Sequence, residues 1–371
     1  MKITCDKQLL QDALSLAVRA VSSRTTNPIL ECVLISTVGK KGIIIKASNL
    51  DITINTAKIK AEVQEEGELA VDAKLFTEIV RKMAGEFVSI ALGNFGVVEV
   101  KSGRSRLNIR SLPAEEFPVL SAADTTPKSE GFTLKTQILR DMIKQTIFSV
   151  STDQNRIVLT GELLEVKDNV LRMVAVDMYR ISYKSIPIKD TADSKAIVPA
   201  KALNELSRML PIGDKESVLI ELTDRRIIFK AKTFTLISNL IEGEFIRYDQ
   251  IFSEDFTTTV EVNRNDLLDA FERAILVASE SRMLPIRMDM SDDHLNISSQ
   301  SDRGETEEGI PCRIDGNAIA ISFNPRYFIE ALRAVDDETL LLRFNTPLSP
   351  CTIKSADENA AFKYLIVPLR S

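Results

Sequence analysis

A basic residue, an acid four positions on and a second basic residue three beyond it occur three times in this chain. The sets are Lys74, Glu78 and Arg81; Lys201, Glu205 and Arg208; and Arg326, Glu330 and Arg333. Cations repeated at fixed spacing suit a polyanionic partner. Other chemistries find less support. The one histidine, His294, stands in Ser-Asp-Asp-His-Leu-Asn-Ile, a charged cluster before an alternating run, and reads as a solvated hairpin residue. Catalysis by a histidine base is therefore poorly supported. Gly39-Lys-Lys-Gly42 lacks the phosphate-loop pattern and reads as a β-turn. Cys5, Cys32, Cys312 and Cys351 are scattered without a CxxC pair, which gives neither a zinc spacing nor a disulfide framework, so they are expected to be reduced and mostly buried. No metal site is expected. Carboxylates are plentiful, but nothing singles out an acid pair. The default is a binding protein and not an enzyme.

The elements that carry these cations repeat as well. Segments 71–83, 198–210 and 323–335 share one pattern, 127 and 125 residues apart, and Leu9-Leu10, Ile138-Leu139 and Leu267-Leu268 open similar amphipathic runs at intervals of 129. A period of this length is the size of a whole domain. Three related domains are expected in the 371 residues, over 1–125, 129–252 and 256–371, with polar, turn-rich links at 121–131 and 253–259. In the first repeat, helices are expected over 7–20 and 73–83, and strands over 29–36, 42–47, 51–58, 88–92, 96–102 and 105–111. Strands that follow one another through short turns argue for antiparallel sheets and an α+β domain.

At about 100° per residue, Lys74, Glu78 and Arg81 fall on one side of their helix, opposite Leu75, Phe76, Ile79, Val80 and Met83. Taken singly, such a stripe is an ordinary solvated face stabilised by a few tenths of a kcal/mol. Three copies would show the same cations to a common partner, and Lys144 and Arg273, at equivalent positions on the earlier helix of the second and third repeats, add to them. Yet 47 Lys and Arg stand against 53 Asp and Glu, a net charge of −6. Proteins that grip DNA in an open groove are usually basic. Either nucleic acid is not the partner, or a local basic surface meets it loosely. Charges interrupt the first ten residues, and no run approaches the ~18 apolar residues of a membrane span, so a cytoplasmic location is expected.

Across all three repeats the chain resembles the bacterial sliding clamps, the beta subunit of DNA polymerase III. The resemblance runs through Met1-Lys-Ile, Arg24-Thr-Thr-Asn-Pro-Ile-Leu30, Gly103-Arg-Ser-Arg106, Leu112-Pro-Ala-Glu-Glu-Phe-Pro118, Gly161-Glu-Leu, Val176-Asp-Met-Tyr-Arg180, Phe323-Asn-Pro-Arg-Tyr327 and Tyr364-Leu-Ile-Val-Pro-Leu-Arg-Ser371. No single motif is specific; their order and spacing are. The resemblance implies a DNA-clamp fold, with two helices per pseudo-repeated domain packed on antiparallel sheets, closing as a homodimeric ring around duplex DNA. Enclosure would retain the DNA, so weak, salt-sensitive contacts without base readout would let the ring slide. It places Arg24, Lys74, Lys201, Arg208, Arg326 and Arg333 at or near the inner surface, and the repeat pattern adds Arg81, Lys144 and Arg273.

For ring closure, the resemblance pairs Arg104, Arg106, Leu107 and Ile109 with Ile275, Leu276, Glu305, Glu307 and Glu308. It also implies a pocket for short peptides with Gln followed by Leu and Phe anchors, carried by polymerase, clamp loader and other partners. Here the pocket would be formed by Leu159, Tyr179, Arg180, Ile181, Ile251, Met283, Asn324, Tyr327, Leu348, Leu365, Val367, Pro368 and Leu369. The family's common Thr-Asp-Gly-His-Arg run is Val176-Asp-Met-Tyr-Arg180 in this chain, and the usual apolar last residue is Ser371. No cofactor is implied; ATP and magnesium would belong to the loader. The alternatives are a peptide-binding scaffold of the same fold without a DNA role and a carboxylate-based hydrolase.

Overall fold

The computed structural model describes residues 1–22, 25–189, 191–252, 255–277 and 285–369. Seven α-helices lie in this part: α1 (Lys7–Ala17), α2 (Ala73–Lys82), α3 (Ala122–Thr125), α4 (Thr136–Thr146), α5 (Ala200–Met209), α6 (Arg264–Val277) and α7 (Pro325–Ala334). Asp6, Asp72 and Asn324 start α1, α2 and α7, their side-chain oxygens accepting from Leu9, Leu75 and Arg326 backbone N–H at 2.9, 2.7 and 3.1 Å. Each such cap is worth about 1 kcal/mol. Behind the caps the helices are one-sided. Phe76, Ile79 and Val80 are buried on α2, and Phe328, Ile329 and Leu332 on α7, where Phe328 stacks on Phe271 of α6 at 4.8 Å.

The chain divides into two compact units, residues 1–139 with 205–240, and residues 140–204 with 241–371. Each holds a terminal repeat and part of the middle one. In the first unit, thirteen antiparallel strands form one sheet, in which Phe234–Asn239 of the second repeat lies beside Ile52–Thr56 of the first, with Leu236 opposite Ile54. In the second unit a nine-stranded sheet contains the corresponding junction, where Phe362–Ile366 of the third repeat lies beside Arg180–Pro187 of the second, with Leu365 opposite Ile181. A separate four-stranded sheet runs in the order Gly304–Pro311, His294–Ser301, Ile286–Ser291, Ile319–Phe323. At both junctions the last strand of one repeat joins a strand of the repeat before it.

The expected strand over 29–36 begins only at Cys32, because Asn27 and Pro28 start a single 3₁₀ turn, Pro28–Glu31. Strands Lys2–Asp6, Ile59–Glu65 and Glu68–Asp72 were not anticipated. The link after the first repeat contains α3, closed by reciprocal bonds between Ser121 and Asp124. His294 is exposed at the start of a strand, after a two-residue turn in which Asp292 and Asp293 take φ of 50° and 60°. Those angles fit the mirror-image hairpin turn that Asp tolerates.

Candidate nucleic-acid face, strand edges and peptide pocket

The triplicated cations divide into two classes. Lys74, Lys201 and Arg326, one near the start of each of α2, α5 and α7, are exposed and make no ion pair among the described residues. The later cation of each set is held. Arg81 bonds to Glu78; Arg208 Nη1 lies 3.2 Å from Glu205; and Arg333 Nη2 lies 2.7 Å from Glu272 on α6. Lys144 reaches Asp336 at 3.1 Å. Arg24 lies outside the described residues. Arg273 and Glu308, expected on two different surfaces, bond to each other through two contacts of 2.8 Å. Those bonds hold the Glu308 carboxyl below its ordinary range and the Arg273 guanidinium above its own.

Two long strand edges are open. Strand Ser105–Leu112 pairs with Val97–Ser102 through residues 105–110, and on its other side only Ser111 and Leu112 find partners, in Glu68–Asp72. The free stretch carries exposed Arg106 and Leu107 and half-buried Ile109, next to exposed Arg104. Arg106 and Lys101 both bond to Glu99, whose carboxyl is held below its ordinary range, chiefly by the bond from Lys101. Strand Gly304–Pro311 forms the outer edge of its sheet and bears Glu305, Glu307 and Glu308. Asn296 Nδ2 donates to Glu307 at 2.7 Å. Leu276, on α6 in the same unit, is 75% exposed, and Ile275 is half-buried.

The second unit gathers most of the expected pocket residues. Leu159, Ile181 and Leu365 belong to one buried cluster with Val176, Ile197, Phe245 and Tyr248, and Val367 packs against it. Val367 N–H donates to the Tyr179 carbonyl at 2.8 Å, which sets the C-terminal segment beside residue 179. Tyr179 stacks on Tyr327 with centroids 5.9 Å apart. Arg180 is buried, its Nε donating to Asp177 at 2.9 Å and its guanidinium lying 4.6 Å from the Tyr327 ring centroid. Burial first, and then the Asp177 carboxylate, pushes the Tyr327 phenol up, so that it stays neutral. Asn324 acts through the chain, capping the helix that carries Tyr327. Leu348 and Leu369 line an adjoining cavity of about 470 Å³ with Arg287, Ile321, Ser322 and Pro347. Ile251 is 40% exposed, Pro368 is half-buried, and Met283 lies outside the described residues.

The exposed apolar side chains Ile157, Met178, Tyr179, Ile251 and Leu348 belong to this same unit. Sequence reasoning did not assign Asp177, Phe148 or Glu330 to this site, where they bond to or lie under Arg180. For Glu330 a signal existed in the triplicated spacing, but it pointed to a helix stripe.

Models of the N-terminal, central and C-terminal domains of the DNA polymerase III beta subunit match residues 1–121, 133–246 and 249–370. The chain belongs to the bacterial sliding clamp family. The beta sliding clamps of Halalkalibacterium halodurans and Bacillus subtilis are each 30% identical to it over the whole of both chains. The solved sliding clamp of Bacillus subtilis superposes with a TM-score of 0.95 at 29% identity, covering 100% of this chain and 99% of that one, and that of Pseudomonas aeruginosa gives 0.93 at 27%, covering both completely. The α+β architecture is thus the clamp fold with three pseudo-repeated domains. As a sliding clamp the protein is a non-catalytic processivity subunit, with DNA and a polymerase as its partners.

Proposed function

We propose that the protein closes head to tail with a second copy into a ring around duplex DNA and tethers its partners through the pocket built on Leu159, Tyr179, Arg180, Tyr327 and Leu365. The observation that carries the ring is the repeated junction. Twice within the chain, the last strand of a repeat joins a strand of the preceding repeat. The last strand of the first repeat, Ser105–Leu112, has no preceding repeat and is open; Gly304–Pro311, which occupies the matching place in the third, is open as well. A second copy satisfies both edges by the same pairing. Opposite charge on Arg104 and Arg106 against Glu305 and Glu307 supports that register. A head-to-tail contact of this kind closes when the rotation per protomer is right.

Lys74, Lys201 and Arg326 are the unpaired cations offered to DNA, while Arg81, Arg208 and Arg333 are partly neutralised by their acids. Three such cations on a protein of net charge −6 support a surface that meets phosphates without gripping them, as sliding requires. Arg273, held by Glu308, fits the strand edge better than the DNA face. The three domains are taken as 1–125, 129–252 and 256–371. The clamp loader and proteins with short Gln, Leu and Phe motifs fit the pocket, and a cytoplasmic location fits these partners. The test is reversal of Lys74, Lys201 and Arg326 to Glu. Loss of DNA retention with peptide binding intact is expected; full retention would overturn the assignment of these three cations.

A further inference from the structure

Glu330 occupies the acid position of the triplicated helix pattern. Its counterparts Glu78 and Glu205 each bond to the arginine three residues further along the same helix. Glu330 does not. It bonds instead to Arg180 Nη1, and Arg333 turns to Glu272. The guanidinium of Arg180, whose side chain is only 9% exposed, therefore meets two carboxylates, Asp177 on its own turn and Glu330 on α7. One cation and two anions leave a formal charge of −1 beside the Tyr179 and Tyr327 rings. Asp177 is already occupied, accepting from the backbone N–H groups of Tyr179 and Arg180 at 2.7 and 2.9 Å. Glu330 is the exposed member, its side chain 46% accessible, and is the one an incoming segment would meet.

We infer that Glu330 is a specificity-determining residue of the peptide site, keeping Arg180 from receiving an acid and so selecting segments with a neutral amide or a cation at this end over segments with a carboxylate. The inference rests on the reading of this pocket as the peptide site. Attraction alone would not give the discrimination; the repulsive element is the second carboxylate. Solvent and salt screen a like charge brought beside the exposed Glu330, and the more buried Arg180 and Asp177 behind it are screened less.

The experiment compares two acetylated peptides with the same Leu and Phe anchors, one led by Gln and the other by Glu, titrated against the full-length protein and against Glu330→Gln. That substitution removes the charge while its amide oxygen can still accept from Arg180. The wild type should prefer the Gln peptide by about tenfold or more at low salt, and the preference should shrink as ionic strength screens the charge. In Glu330→Gln the ratio of the two affinities should fall to about threefold or less. Equal binding of the two peptides by the wild type would overturn the inference while leaving the pocket reading intact. So would a preference undiminished in Glu330→Gln. Failure of both peptides to bind the wild type would overturn the pocket reading, and this one with it.

Discussion

Glu162 lies in the motif Gly161-Glu-Leu and is wholly buried. Its Oε2 is 2.7 Å from Thr146 Oγ1, which is also 2.8 Å from the Met142 carbonyl oxygen; Oε1 has no protein partner among the described residues. One hydroxyl proton cannot serve two acceptors. If Thr146 donates to Met142, a protonated Glu162 supplies the second hydrogen bond. Burial agrees, pushing the carboxyl from 4.5 up to about 8, against the smaller opposing effect of Thr146. Between these values the folded protein keeps the proton and the unfolded chain releases it, so stability falls as pH rises and levels off above about 8. At about 1.4 kcal/mol per pH unit, the loss is about 3 kcal/mol from pH 5.5 to 7.5, with a ceiling of about 5 kcal/mol. Glu162→Gln keeps a donor for Thr146 and cannot titrate. Its urea midpoint should match that of the wild type near pH 4.5 and exceed it increasingly toward pH 8, at fixed protein concentration. Because other groups titrate alike in both proteins, their difference isolates this carboxyl. Curves that stay parallel across the range would refute the reasoning.

Reversing Arg104 and Arg106 to Glu should weaken self-association by about ten- to a hundredfold, since each exposed pair contributes at most about 1 kcal/mol and becomes a repulsion; sedimentation should show monomers, and reversing Glu305 and Glu307 as well should restore dimers. Tyr327→Ala should weaken peptide binding by about tenfold or more, as expected of a central aromatic anchor, in a fluorescence titration. Tyr179→Ala, which removes the other half of the stacked pair, should have a smaller effect in the same direction. Removing Lys74, Lys201 and Arg326 together should lower the slope of log affinity for DNA against log salt by up to about three per protomer, because each phosphate contact contributes about 0.9.

The repeats were legible because helix faces are local. Phe76, Ile79 and Val80 place the second helix by spacing alone, and the bounds observed, Ala73–Lys82, differ by one residue from those expected. Strands Ile59–Glu65 and Glu68–Asp72 were not legible, since charged residues on their solvent side mask the alternation. Nor does spacing along a helix say which acid an arginine takes. Arg333 and Arg273 turn to Glu272 and Glu308, and Glu330 to Arg180 on a strand 150 residues away, because neighbouring elements bring those partners closer. The pocket list came from family resemblance. Without it, Leu159, Ile181 and Leu365 read as core, and in the structure they belong to one buried cluster.

Retention on nicked circular DNA, loaded with the cognate loader and ATP and followed before and after the circle is cut, tests the ring most directly. Retention on circles with loss from linear DNA is expected, because enclosure and not surface affinity holds the clamp. Equal retention on both would contradict that account.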